Sequence, residues 1–133
     1  MADRHFTPRE VEALIPALTP LMREAMAAHT KAAALRERLR AEQARIALAG
    51  GGVVDRAQWR ADSGRIEQLT ERVRKTLEKV VELGGRPKDL GLGLVDFPHL
   101  RDGREVNLCW QYGEREIRQW HGLDEGYAGR KPL

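Results

Sequence analysis

"LVDFPHLRDGREVNLCWQY", residues 94–112, decides how this chain folds. At its centre the pair Asp102 and Gly103 stands between two extended runs, the residue pair that best fits a tight turn whose backbone dihedrals are positive. Beyond the turn, Val106, Leu108, Trp110 and Tyr112 alternate with Glu105, Asn107, Cys109 and Gln111, as in a strand with one buried face. "YGERE" reads as the next turn, and "EIRQWH" is either a third strand or one turn of helix, since so short a run fits both periods. Five of the seven aromatics, Phe97, Trp110, Tyr112, Trp120 and Tyr127, fall within residues 91–133, so the bulky packing material lies at this end.

Upstream the period changes from two to between three and four. In "HFTPREV", Thr7 caps a helix, Pro8 takes its first position, Glu10 completes a capping box, and Phe6 and Val11 are spaced as a hydrophobic staple. Val11, Leu14, Ile15, Leu18, Met22, Ala25, His29 and Ala32 continue as one apolar stripe. Pro16 and Pro20 each cost about 3 kcal/mol in a helix interior, which predicts a short helix over 8–15 bending into a long one over about 20–48. Glycines 50, 51 and 52 supply a turn, and Asp55 with Gln58 forms a second capping box. Trp59, Ile66, Val73 and Val80 then recur every seven residues, flanked by Leu69, Leu77 and Leu83, as along the seam of a coiled-coil-like pair, and Gly84 and Gly85 end the helix. Leu21, Met26, Leu35, Leu48 and Val81 fall off that seam, so they need cover from the C-terminal third or from a second copy of the chain.

The 133 residues leave room for one domain. Residues 1–54 carry eight basic and six acidic side chains, 55–90 nine and seven, and 91–133 six and seven, so the formal charge of +3 is spread thinly. A nucleic-acid footprint gathers Lys and Arg on one face with few acids, and none is expected here. Arg36, Arg38, Arg40 and Arg45 are the densest basic run; Glu37 and Glu42 dilute it, and a solvated helix end is the simpler reading. Cys109 is the only cysteine, which rules out an intramolecular disulfide or a zinc cluster of several thiolates and suggests a reducing, cytoplasmic setting. No signal peptide or apolar run of membrane-spanning length is read, so no membrane association is expected.

The segments "RHFTPREVEALIPALTPL" and "GLVDFPHLRDGREVNLCWQYGEREIRQWHGLDEGYAGRKPL" resemble a bacterial family catalogued as domain of unknown function 2203. The resemblance extends over almost the whole chain and implies a small stand-alone bacterial protein with a helical N-terminal part and an ordered C-terminal tail. It brings with it no activity, cofactor or catalytic residue.

The densest collection of chemically able side chains is "EIRQWHGLDEGYAGR", residues 116–130. His121, Asp124 and Glu125 could ligate a metal, and with Arg130 and Cys109 they form the candidate set for catalysis. The spacing matches no metalloenzyme signature, and Cys109, His5 or His99 would have to be brought in by folding. The competing reading is a latch, with Trp120 and Tyr127 anchored on the helices and Asp124 or Glu125 paired with arginines. Cys109 is expected to be a small buried thiol, and His121 on an adjacent strand is the histidine that could reach it. His29 is expected to be a buried neutral histidine, and His5 and His99 exposed or bonded to backbone. "GGRPKDLGLG" and "GGGVVDRA" read as hinges, lacking the lysine and hydroxyl of a phosphate loop.

These readings combine into an α+β domain spanning 1–133: an antiparallel helical hairpin over 1–85 with its first helix kinked at the prolines, and a small antiparallel sheet and tail over 86–133 packed on it. The first expectation for function is a non-enzymatic interaction or scaffold module that forms a homodimer through its hairpin, with room for a further protein partner and with no cofactor expected. The alternative is a metal- or small-ligand-binding enzyme with its site at the junction of tail and helices.

Overall fold

The computed structural model describes residues 2–50 and 55–133. Helix α1 runs from Pro8 to Leu48; Thr7 accepts a hydrogen bond from the Glu10 N–H while the Glu10 carboxylate accepts from the Thr7 N–H, so the capping box is complete. Phe6 and Val11 are both buried in the main core, as a staple requires. The short helix over 8–15 and the long one over about 20–48 form a single helix, α1 running on through Pro16 and Pro20 from residue 8 to residue 48. Pro16 and Pro20 both lie on its exposed side, where carbonyls deprived of a helical partner can bond to water.

Helix α2 spans Arg56–Glu82. Asp55 accepts from the Gln58 N–H at 3.0 Å, but the Gln58 side chain donates to Asp62 instead of reaching back, so only half of the second box forms. Of the glycine turn, residues 51 and 52 lie outside the described residues. Gly84 ends the helix with φ +103°, and a β-carbon there would stand 2.2 Å from the Phe6 ring, so both the turn and the close approach demand glycine.

The helices are antiparallel neighbours: Arg38 pairs with Asp62, Arg36 with Thr70, Ala28 and Ala32 pack on Leu69, and Val11 shares a core with Val80. His29, expected on the buried stripe, is exposed; the stripe passes through its neighbours Ala25, Ala28 and Ala32. Of the off-seam residues, Leu21 and Met26 are covered by the core shared with the sheet and Leu35 by the Leu69 cluster, whereas Leu48 and Val81 are exposed.

The remainder is a five-stranded antiparallel sheet in sequence order: β1 (Arg86–Asp89), β2 (Leu94–Arg101), β3 (Arg104–Gln111), β4 (Gln119–His121) and β5 (Lys131–Pro132). Asp102 and Gly103, with φ 52° and 77°, make the tight turn between β2 and β3. "EIRQWH" resolves into strand β4. β1 lies inside a segment read as a hinge; its strand character comes from pairing with β2, and as an edge strand it tolerates Pro87.

Val95, Phe97, Leu108 and Trp110 point to the helices and join Phe6, Leu18, Met22 and Val80 in one core, each fully buried large side chain being worth roughly 1.5–3 kcal/mol. β3 does not have the single buried face its alternation suggested. Asn107 and Cys109, on the far side, are as buried as Leu108 and Trp110, because the chain after β4 folds across them.

Candidate metal centre

On that far side, strand pairing sets Asp96 of β2 directly opposite Cys109 of β3, and Asn107 of β3 opposite His121 of β4. Residues two apart on a strand share a face, so the four side chains form a block on three adjacent strands. Asp96, Asn107, Cys109 and His121 are each no more than 3% exposed. One oxygen of Asp96, the Cys109 sulfur and a ring nitrogen of His121 all lie within 4.8 Å of one another. Leu123, Glu125, Gly126 and Tyr127 roof this block and leave a cavity of about 120 Å³, with Lys88 at its edge.

The hydrogen bonds specify the protonation. His121 Nδ1 lies 2.9 Å from the Gly122 carbonyl oxygen, which can only accept, so Nδ1 carries a proton. Nε2 faces Asp96 Oδ1 at 2.9 Å, and a single proton is shared between them. An imidazole fixed through one nitrogen by a backbone carbonyl, with its other nitrogen turned to the donor cluster, has the orientation of a metal-ligating histidine. Burial pushes the Cys109 thiol up to about 11, and the Asp96 carboxylate adds to the shift against a smaller opposing effect of Arg130. Without a cation the sulfur is therefore a protonated, unreactive thiol at neutral pH.

A second buried acid shows what is unusual here. Asp62, between the helices, accepts from the Arg38 guanidinium with both oxygens and also from Gln58, and the Arg38 bond holds its carboxyl below the usual range. Asp96 has one partner, and its Oδ2 is buried with none; Asn107 Oδ1 is likewise buried and unpartnered. Orphaned buried oxygens cost roughly 1–3 kcal/mol each.

The candidate residues divide. His121 and Cys109 are brought together as anticipated, but with Asp96, which sequence reasoning passed over, instead of with Asp124 and Glu125. Asp124 is exposed and lines a different depression beside Trp120. Glu125 roofs the cavity, yet its carboxylate is held by Lys131 and the Gly122 N–H, and Lys131 keeps it below the usual range. Arg130 donates to Glu114 and to the Cys109 carbonyl oxygen, bracing β3 from behind the sulfur. The site is a junction of tail and sheet, not of tail and helices: the helices occupy the apolar face, so alternation turns these side chains away from them. The latch is also divided. Trp120 packs on the helix-side core, while Tyr127 lies on the opposite face, its hydroxyl on Gln111. A signal for Asp96 was present, since an acid inside "LVDF" is out of place in a buried strand unless something neutralises it.

Two of the other histidines are engaged elsewhere, His5 with Glu105 and His99 with the Phe6 carbonyl oxygen, and His29 is exposed on α1. In the basic run, Arg38, Arg40 and Arg45 each pair with an acid. Among the described residues no helix is long and apolar enough to cross a membrane. No curated protein and no solved structure is significantly similar to the chain. A family model described as "Uncharacterized conserved protein (DUF2203)" matches residues 4–133. The chain belongs to that family.

Proposed function

We propose that this protein binds a divalent transition metal of the zinc class through Asp96, Cys109 and His121, as the basis of a metal- or small-ligand-dependent activity. The observation that carries the reading is the convergence of a carboxylate, a thiol and an oriented imidazole within 4.8 Å on a buried sheet face. Mixed oxygen, sulfur and nitrogen donors suit zinc; a thiolate disfavours magnesium and calcium. Tetrahedral zinc with bonds of about 2.0–2.3 Å sets its donors roughly 3.3–3.8 Å apart, within reach of this cluster by small side-chain shifts. The charges balance too, because one carboxylate and one thiolate neutralise a dication in a site that could not hold a bare one. Binding displaces the thiol proton, which burial holds well above the ordinary thiol range, so affinity rises with pH.

Metal-stripped protein titrated with Zn²⁺ and followed by elemental analysis and thermal unfolding tests this. One ion per chain and a higher unfolding midpoint are expected, with both lost in Cys109→Ala and His121→Ala. An unchanged midpoint and no retained zinc in the unaltered chain would refute the proposal.

A second reading, self-association of a scaffold-like hairpin, is favoured by Leu48 at 90% and Val81 at 58% exposure. Sedimentation equilibrium distinguishes it: a concentration-dependent dimer abolished by Leu48→Glu supports it, and a monomer throughout removes it.

A further inference from the structure

Three donors leave one corner of a tetrahedron, and what stands around that corner is not another strong ligand. Asn107 lies beside Cys109 on the same strand face and opposite His121, lines the same cavity, and has a buried side-chain oxygen with no hydrogen-bond partner. An amide oxygen only accepts, so its missing partner is a donor. The cavity of about 120 Å³ has room for several waters and is walled beyond the polar block by Leu94, Leu123 and Tyr127. The inner ligands already cancel a dication, so the resting fourth ligand need carry no charge of its own.

Resting on the metal reading above, we infer that the centre is open, its fourth position held by a water that donates to Asn107 Oδ1 and exchanges with a short, neutral, hydroxyl-bearing organic molecule. The hydroxyl oxygen coordinates the ion, its proton points to Asn107, and a short apolar stem lies against Leu94 and Leu123. Three protein ligands with a solvent-filled fourth position distinguish metal centres that process a ligand from those that only brace a fold.

Cobalt(II) is the probe, added to the metal-stripped 133-residue chain and read by optical absorption. A thiolate-to-cobalt charge-transfer band reports the Cys109 ligand, and the visible bands report the remaining coordination. Titrated azide should displace the water and change the visible bands while the charge-transfer band persists. In Asn107→Ala the band should remain, and azide should bind about five- to tenfold more tightly because the water has lost an acceptor. 1-Propanol should compete with azide in the unaltered chain. Visible bands indifferent to azide, or an Asn107→Ala protein with altered coordination before azide is added, would mean that the site is closed and the amide is itself a ligand, which overturns this inference while leaving the metal reading intact. No charge-transfer band in the unaltered chain sinks both.

Discussion

The two faces of the sheet are buried to a similar degree and built for opposite ends. Toward the helices, Val95, Phe97, Leu108 and Trp110 meet side chains of their own kind, and the one polar atom among them, the Trp110 N–H, is satisfied; the Trp120 N–H at the edge of that face is the exception. Toward the tail, Asp96, Asn107, Cys109 and His121 leave water equally completely, yet two of their oxygens find no partner. A face selected only for stability would hold apolar side chains on both sides, as sheets covered on both faces commonly do. The difference teaches that burial has two meanings in this domain: on one side it holds the fold together, and on the other it shields a donor cluster from water at the expense of stability.

The largest effect that tests this contrast belongs to the apolar face. Trp110→Ala should lower the unfolding free energy of the metal-free protein by about 3–5 kcal/mol in a denaturant titration, since the indole is fully buried and its N–H donates to the Glu114 carbonyl oxygen. On the polar face, Asp96→Ala should cost about 2–4 kcal/mol by stranding His121, whereas the double change Asp96→Val with His121→Leu should return to within about 1 kcal/mol of the unaltered metal-free protein. Both should lose any stabilisation that added zinc gives the unaltered protein. If the double variant were as unstable as Trp110→Ala, the polar face would be structural after all and the contrast would fail.

A third effect is set by pH. The Cys109 thiol titrates near 11 in the folded protein against an ordinary value of 9.0, so the folded state holds its proton longer than the unfolded chain. The corresponding stability is fully present below pH 9 and is lost as pH rises through 11, a loss of roughly 2 kcal/mol relative to Cys109→Ala in metal-free protein. Equal pH slopes in the two proteins would show that the thiol is not buried as described. The smallest effect lies outside both faces: Arg74, exposed on α2 between Glu71 and Glu78, should leave the denaturant midpoint almost unchanged when replaced by alanine, with any difference vanishing in high salt.

How much of this was legible follows from the range of each interaction. The capping box at Thr7, the Asp102–Gly103 turn and the glycine stop at Gly84 are set by residues within a few positions of one another, and each is found where its local chemistry places it. Pro16 and Pro20 do not divide the helix in two, since both lie on its exposed side, and which side of a helix faces water depends on what packs against the other side. β1 and β5 were invisible for a related reason: "RPKD" and "KP" have little strand character of their own and acquire it from a partner strand. The pairing of His121 with Cys109 was foreseeable once both were placed on neighbouring strands; Asp96 was not, since its register against Cys109 depends on the whole hairpin between them.

By itself, the sequence determined two capped helices, a tight hairpin and an aromatic-rich end, because periodicity and turn chemistry act over a few residues. Only the tertiary structure decided that the tail crosses the sheet and not the helices, and so enclosed Asp96, Cys109 and His121 together. Strand register carries residues 96 and 121 to the same spot, and register is settled by which face the helices claim first.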